Sequence, residues 1–216
     1  MNKAFLKSTL TPVITIIICC ILYYSGHFQM TIAAIIMIIA SAIEYKKDLF
    51  KSLGFQRERL NVKNILIVAP LLAIAFFLFN GYVLLPVVTY FTGQPIDYSM
   101  FDSYKGNLPA ILSIFVYMLF SGAFGEEIVF RGYLMRQFTK FFGSSKISIL
   151  INILLFGTLF GLSHAYQGIT GMIFTGIVGM FFAVVFHIRK NDLWFNIALH
   201  GFIDTIALIY MYFGWL

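Results

Sequence analysis

Six residues bring acid, base and cation chemistry into stretches that are otherwise apolar: Glu126, Glu127, Arg131, His164, His200 and Asp204. An ionised group at the bilayer centre costs about 2.5–3.5 kcal/mol on insertion scales, so such groups gather around a bundle interior or a wet cavity and mark a function. On a helix, Glu127 and Arg131 stand i,i+4 and can pair, which leaves Glu126 free. Asn196, His200 and Asp204 form an i, i+4, i+8 stripe, and Phe160 with His164 forms a second i,i+4 pair. A carboxylate in a low-dielectric site can act as general base toward a water and later return the proton to a leaving amine, a role that fits Glu126. The histidines and the further carboxylate have two possible uses. Glu126, His164, His200 and Asp204 could ligate a divalent metal such as Zn²⁺, or the histidines could donate hydrogen bonds to a developing oxyanion. Spacing leaves both open, and the HExxH helix motif of zinc proteases is absent.

The elements that must position these groups are membrane helices. The chain has 216 residues, 60% hydrophobic and 11% charged, against roughly 45–50% and 25% in an ordinary soluble domain. Its mean hydropathy is +0.89. Apolar runs near the bilayer-crossing length of about 20 residues occur at 8–25, 28–45, 64–88, 108–126, 147–164, 168–188 and 193–214. The expected fold is therefore all-α, a polytopic helical bundle of about seven or eight transmembrane helices. It reads as one helical domain in two parts: residues 1–107 carry three spans, and residues 108–216 carry the catalytic core.

All but four of the 15 Lys/Arg and nine Asp/Glu lie in loops or at span ends. Residues 44–63 and 132–146 are rich in Lys and Arg, whereas 89–107 holds only Asp97, Asp102 and Lys105. The positive-inside rule then places the N-terminus, with Lys3 and Lys7, in the cytoplasm of a multi-pass plasma-membrane protein, and the composition suits a bacterium. No cleavage site follows the first apolar run, which reads as an uncleaved span. The basic residues form no face interleaved with aromatics, which argues against nucleic acid as a partner. Cys19 and Cys20 sit in an apolar run and offer neither a disulfide framework nor a thiolate metal site. Pro70 and Pro86 are expected to bend the third span without breaking it.

Depth constrains a joint site. If 108–141 is one helix that turns at Gly143-Ser144-Ser145, the climbs from that turn to Glu126 and to His164 are about 26 and 31 Å, similar heights in the membrane. Gly157 and Gly161 form a GxxxG pair that would admit a neighbouring backbone beside His164. Asn152 and Asn196 are expected to bond across helices.

The stretch Gly125-Glu126-Glu127-Ile128-Val129-Phe130-Arg131-Gly132-Tyr133-Leu134 resembles the EExxxR motif, with its FRGYL extension, of the CPBP intramembrane proteases, also called the CAAX-protease and bacteriocin-processing (Abi) family. Phe160-Gly161-Leu162-Ser163-His164 is similar to that family's FxxxH motif, and His200-Gly201-Phe202-Ile203-Asp204 to its HxxxN/D motif. The resemblance covers about 108–208. It implies that Glu126 and His164 activate the water that attacks a peptide carbonyl and that Glu127 and Arg131 shape the site. His200 with Asp204 would then stabilise the oxyanion or help ligate a metal, making the protein a CAAX-prenyl-protease-like intramembrane metalloprotease. Many members carry Asn where this chain has Asp204, and the added charge favours a cation or a protonated partner. The family includes enzymes that remove the last three residues of prenylated CAAX proteins, and members linked to bacteriocin maturation and immunity.

The reading that follows is an intramembrane endopeptidase acting through a Glu-activated water, with membrane lipid and a membrane-associated peptide or protein as partners. Two others compete with it: a non-enzymatic bacteriocin immunity or scaffold protein using the same pocket, and a proton-coupled transporter. The last lacks paired Gly/Pro-interrupted spans in its two halves.

Overall fold

The computed structural model describes residues 3–215, with side chains from residue 9, and among these it is helical with no strand. The side chains of Lys3 and Lys7 lie outside the described residues. Seven long helices follow in order: α1 (Lys3–Tyr24), α2 (Met30–Tyr45), α3 (Asn64–Thr92), α4 (Leu108–Phe142), α5 (Lys146–Leu162), α6 (Gly168–Ile188) and α7 (Leu193–Phe213). A short helix, Leu49–Leu53, lies between α2 and α3. Each apolar run of the sequence corresponds to one long helix. Helices Asn64–Thr92, Leu108–Phe142, Ala165–Ile188 and Leu193–Phe213 are each long and apolar enough to cross a membrane. Their outer faces expose large apolar residues such as Leu71, Leu112 and Ile209, surface that only lipid would cover.

Local sequence sets the boundaries. Asn107 caps α4, its Oδ1 accepting from Ala110 N at 3.2 Å ahead of Pro109 in the first turn. Ser145 caps α5 and Asp192 caps α7 in the same way. At the end of α4, Gly143 takes a φ of 76° that other residues avoid, and the chain turns there as expected. Both prolines of α3 follow segments wound with i→i+5 hydrogen bonds, Asn64–Val68 before Pro70 and Asn80–Leu84 before Pro86. The wider turn accommodates the missing proline N–H without ending the helix.

Two apolar clusters hold the bundle. One joins α2, α4, α5 and α6 around Met37, Phe130, Tyr133, Phe156 and Phe186. The other joins α3, α6 and α7 around Phe76, Phe182, Phe195 and Leu199. Helix α2 thus packs on α4 and α3 on α7, so the first three helices flank the last four on two sides.

Helices α5 and α6 approach most closely where both are glycine-rich. A Cβ on Gly161 would stand 2.8 Å from Gly176 Cα, closer than real contacts allow, so the expected close backbone approach beside His164 is present. At the basic end, Leu193 N donates to Gly54 O at 3.1 Å, Arg59 Nη1 to Arg189 O at 3.0 Å, and Lys140 pairs with Glu44. Gly54 has a φ of 98°, and a Cβ there would meet Asn191 O at 2.7 Å. At the opposite end, Asp97 N donates to Gln167 O, the Thr92 and Thr170 hydroxyls meet at 2.6 Å, and Thr170 Oγ1 donates to Gln94 O at 2.7 Å, tying the end of α3 and the 93–107 loop to the start of α6.

Candidate active site

Helix α4 runs without a break through both glutamates, and its residues Met118–Leu134 are wound with i→i+5 hydrogen bonds. Such winding is rare and concentrates at functional sites. Here it spans the whole Glu126–Arg131 motif, and more residues per turn make the climb from Gly143 to Glu126 shorter than ordinary helix geometry gives. The two adjacent glutamates point into different surroundings. Glu127 is sealed, with 0% of its side chain exposed, whereas Glu126 keeps 16% exposed on a cavity wall.

Glu127 is the centre of a closed network. Its Oε1 accepts from Arg131 Nη1 at 3.0 Å and from His200 Nδ1 at 3.0 Å, and its Oε2 accepts from Asn196 Nδ2 at 3.2 Å. Arg131 also donates through Nη2 to the Gly179 carbonyl at 2.7 Å, and its guanidinium lies 4.9 Å from the Phe160 ring centre and 5.2 Å from that of Phe182. Asn196 donates further to Phe182 O at 2.9 Å. The pairing expected for Glu127 and Arg131 and the cross-helix role expected for Asn196 are both present. Asn152 behaves likewise, donating to Met135 O at 3.0 Å. The network joins α4, α6 and α7 and satisfies a buried ion pair, the condition under which such a pair is tolerated.

The second group faces a cavity of about 1400 Å³. Glu126, His164, His200 and Asp204 all line it, so the structure brings together the four residues expected to do chemistry. His200, held by Glu127 through Nδ1 and stacked 4.6 Å from Phe182, directs Nε2 toward Asp204 Oδ1 at 3.6 Å and Glu126 Oε2 at 3.9 Å. Asp204 thus has the His200 ring as its neighbour. His164 stands just past the end of α5, and its Nδ1 lies 2.9 Å from the Phe160 carbonyl. A carbonyl only accepts, so Nδ1 carries a proton, and in the neutral ring Nε2 keeps its lone pair. The phenylalanine of the FxxxH motif therefore orients the histidine through its backbone and supports Arg131 with its ring.

As metal ligands these residues do not fit in the arrangement seen. Catalytic zinc takes three protein ligands at about 2.0–2.2 Å. Among the described residues no group of three or more His, Cys, Asp or Glu side chains has metal-holding spacing.

Sequence reading missed the opposite wall. Asn80 on α3, Tyr23 on α1 and Tyr98 in the 93–107 loop line the same cavity. Asn80 carried a usable signal, being a buried amide alone in the middle of an otherwise apolar run.

Residues 107–206 match the family described as type II CAAX prenyl endopeptidase Rce1-like. That stretch is similar to the family. This match covers the stretch in which the three motifs resemble the CPBP proteases, and it carries the general class of activity, a membrane endopeptidase of the CAAX-protease type. No curated protein and no solved structure gives a significant match.

Proposed function

We propose that this protein hydrolyses a peptide bond of a membrane-associated peptide or protein, using a water activated by Glu126. The observation that carries the reading is that Glu126 and His164, whose Nδ1 is set on the Phe160 carbonyl, line one cavity. A water held between two acceptors, the Glu126 carboxylate and His164 Nε2, commits both its hydrogens and turns a lone pair toward a substrate carbonyl. Glu126 takes the proton as the tetrahedral intermediate forms and passes it to the leaving amine.

His200, flanked by Glu127, Asp204 and Glu126, serves as imidazolium and offers Nε2–H to the developing oxyanion. Glu127, Arg131 and Asn196 fix that ring. Every step uses side chains of this chain, and none is routed through a metal. We also place the basic end of the bundle, with Lys46, Lys47, Lys51 and Arg59, in the cytoplasm of a bacterial plasma membrane by the positive-inside rule.

Purified protein in detergent, incubated with a library of amphipathic peptides and read by mass spectrometry, tests this. The parent is expected to cleave, with and without a chelator. Glu126→Gln and His164→Ala are each expected to lose cleavage while melting as the parent does. Normal turnover by either variant overturns the mechanism, and loss of cleavage on chelation shows that a metal takes part. Peptide binding or cell protection that survives Glu126→Gln, with no cleavage by the parent, transfers the pocket to the immunity reading.

A further inference from the structure

The cavity is larger than a single water-activating dyad requires, and its chemistry is one-sided. Its carboxylates among the described residues are Glu126 and Asp204, which outnumber the single imidazolium of His200; His164 stands beside them, and no Lys or Arg lines it. The one arginine near the site, Arg131, is 1% exposed and spends its donors on Glu127 and Gly179. Tyrosines line the same cavity, from Tyr98 and Tyr104 in the loop before α4 to Tyr117, Tyr166 and Tyr210 on or near the flanking helices. Tyrosine faces attract cations by about 0.5–2 kcal/mol, more as water is excluded.

A second, independent feature lies on α3. Asn80 is 7% exposed and lines the cavity, and its Oδ1 has no hydrogen-bond partner. A buried acceptor left unpaired costs about 1–3 kcal/mol, which a donor entering the cavity would recover. Asn80 also opens the i→i+5 segment Asn80–Leu84, a winding that marks functional positions in helices. Nothing in the Glu126–His164 mechanism uses this side chain.

We propose that the cavity selects a peptide segment bearing positive charge beside the scissile bond, with Asn80 Oδ1 accepting an N–H of that segment, and that it does not select a chain-terminal carboxylate. A peptide cut three residues from its end brings a free carboxylate close to the reacting bond, and the usual receptor for that group is a Lys or Arg side chain. This cavity offers carboxylates, a carbonyl oxygen and aromatic faces, the complement of a cation and of N–H donors. The selection rests on the peptidase reading given above and narrows its substrate class.

The test uses the full-length protein in detergent and quenched peptides that share one apolar core. Lys or Glu flanks the core, and each peptide ends in either a free acid or an amide. Lys peptides are expected to be cleaved with kcat/KM about tenfold above their Glu counterparts, the advantage shrinking as salt screens it. Amidated ends are expected to be cleaved at least as well as free acids. Asn80→Leu, nearly the same size and apolar, is expected to raise KM for the Lys peptides several-fold with kcat unchanged and a melting temperature no lower than the parent's.

Equal cleavage of Lys and Glu peptides, or preference for a free-acid end, overturns the selection and leaves the peptidase reading intact. A fall in kcat with unchanged KM in Asn80→Leu overturns the role of Asn80. A non-cleavable Lys peptide with D-residues at the central bond separates the remaining case. If it binds in preference to its Glu analogue while no peptide is cut, the peptidase reading fails and the charge selection stands. If it shows no such preference, the selection fails as well.

Discussion

Two faces of one helix, one residue apart, have opposite designs. The Glu127 face of α4 is dry, closed and fully bonded, with Arg131, His200 and Asn196 all donating to a single carboxylate. The Glu126 face opens on a wide cavity, with His200 Nε2 3.9 Å from its carboxylate. The difference separates two functions that a pair of identical side chains could otherwise share. A carboxylate bonded on both oxygens to fixed donors is a poor proton carrier and a good anchor, and a partly exposed one with room for water is the reverse. His200 connects them, anchored through one nitrogen and presented to the cavity through the other.

Exchanging the roles gives the largest effect. Glu126→Gln is expected to lower kcat/KM by about 10²–10⁴-fold with little change in thermal melting, as read by peptide cleavage and by melting in detergent. Comparable activity in that variant would erase the distinction between the two faces. Glu127→Ala is the converse, because it strands a buried guanidinium. The expected cost is about 3–5 kcal/mol of stability, visible as a lowered melting temperature before any assay of turnover.

A smaller effect sharpens the comparison by moving the wall on which His164 sits. Gly161→Ala inserts a methyl group against Gly176 and the carbonyl of Met172, forcing α5 from α6 at a cost of about 1–3 kcal/mol. A melting temperature equal to the parent's would show that the α5–α6 contact is looser than the backbone spacing implies. The smallest effect lies at the end of the bundle far from the cavity. Asp192→Ala removes the α7 cap and is expected to cost about 1 kcal/mol while leaving kcat and KM unchanged.

Much of this was legible in the sequence. The seven helices follow from apolar runs of bilayer length, and the continuity of α4 followed from the need to bring Glu126 level with His164. The convergence of Glu126, His164, His200 and Asp204 was readable because charge is so expensive in lipid that four scattered groups must share one wet place. Other features were not legible. The i→i+5 winding of Met118–Leu134 leaves no trace in a stretch whose apolar residues surround the helix on all sides, since no periodicity distinguishes one winding from another there. The contribution of the first three helices to the cavity was hidden for a different reason. Asn80 and Tyr23 carry no motif, and only the packing of α3 against α7 and of α2 against α4 shows that those helices close the site.

The wide winding of α4 has a consequence for how this site can vary between relatives. In an ordinary helix, deleting one residue turns everything beyond it by about 100°, which would exchange the sealed and open faces. A segment that already holds surplus residues in each turn can surrender one by tightening locally, so small changes of length would be absorbed within 118–134 instead of being passed on to the rest of the bundle. The polar ring around Glu127 then acts as a registration mark, the fixed point against which the chain on either side is free to gain or lose a residue.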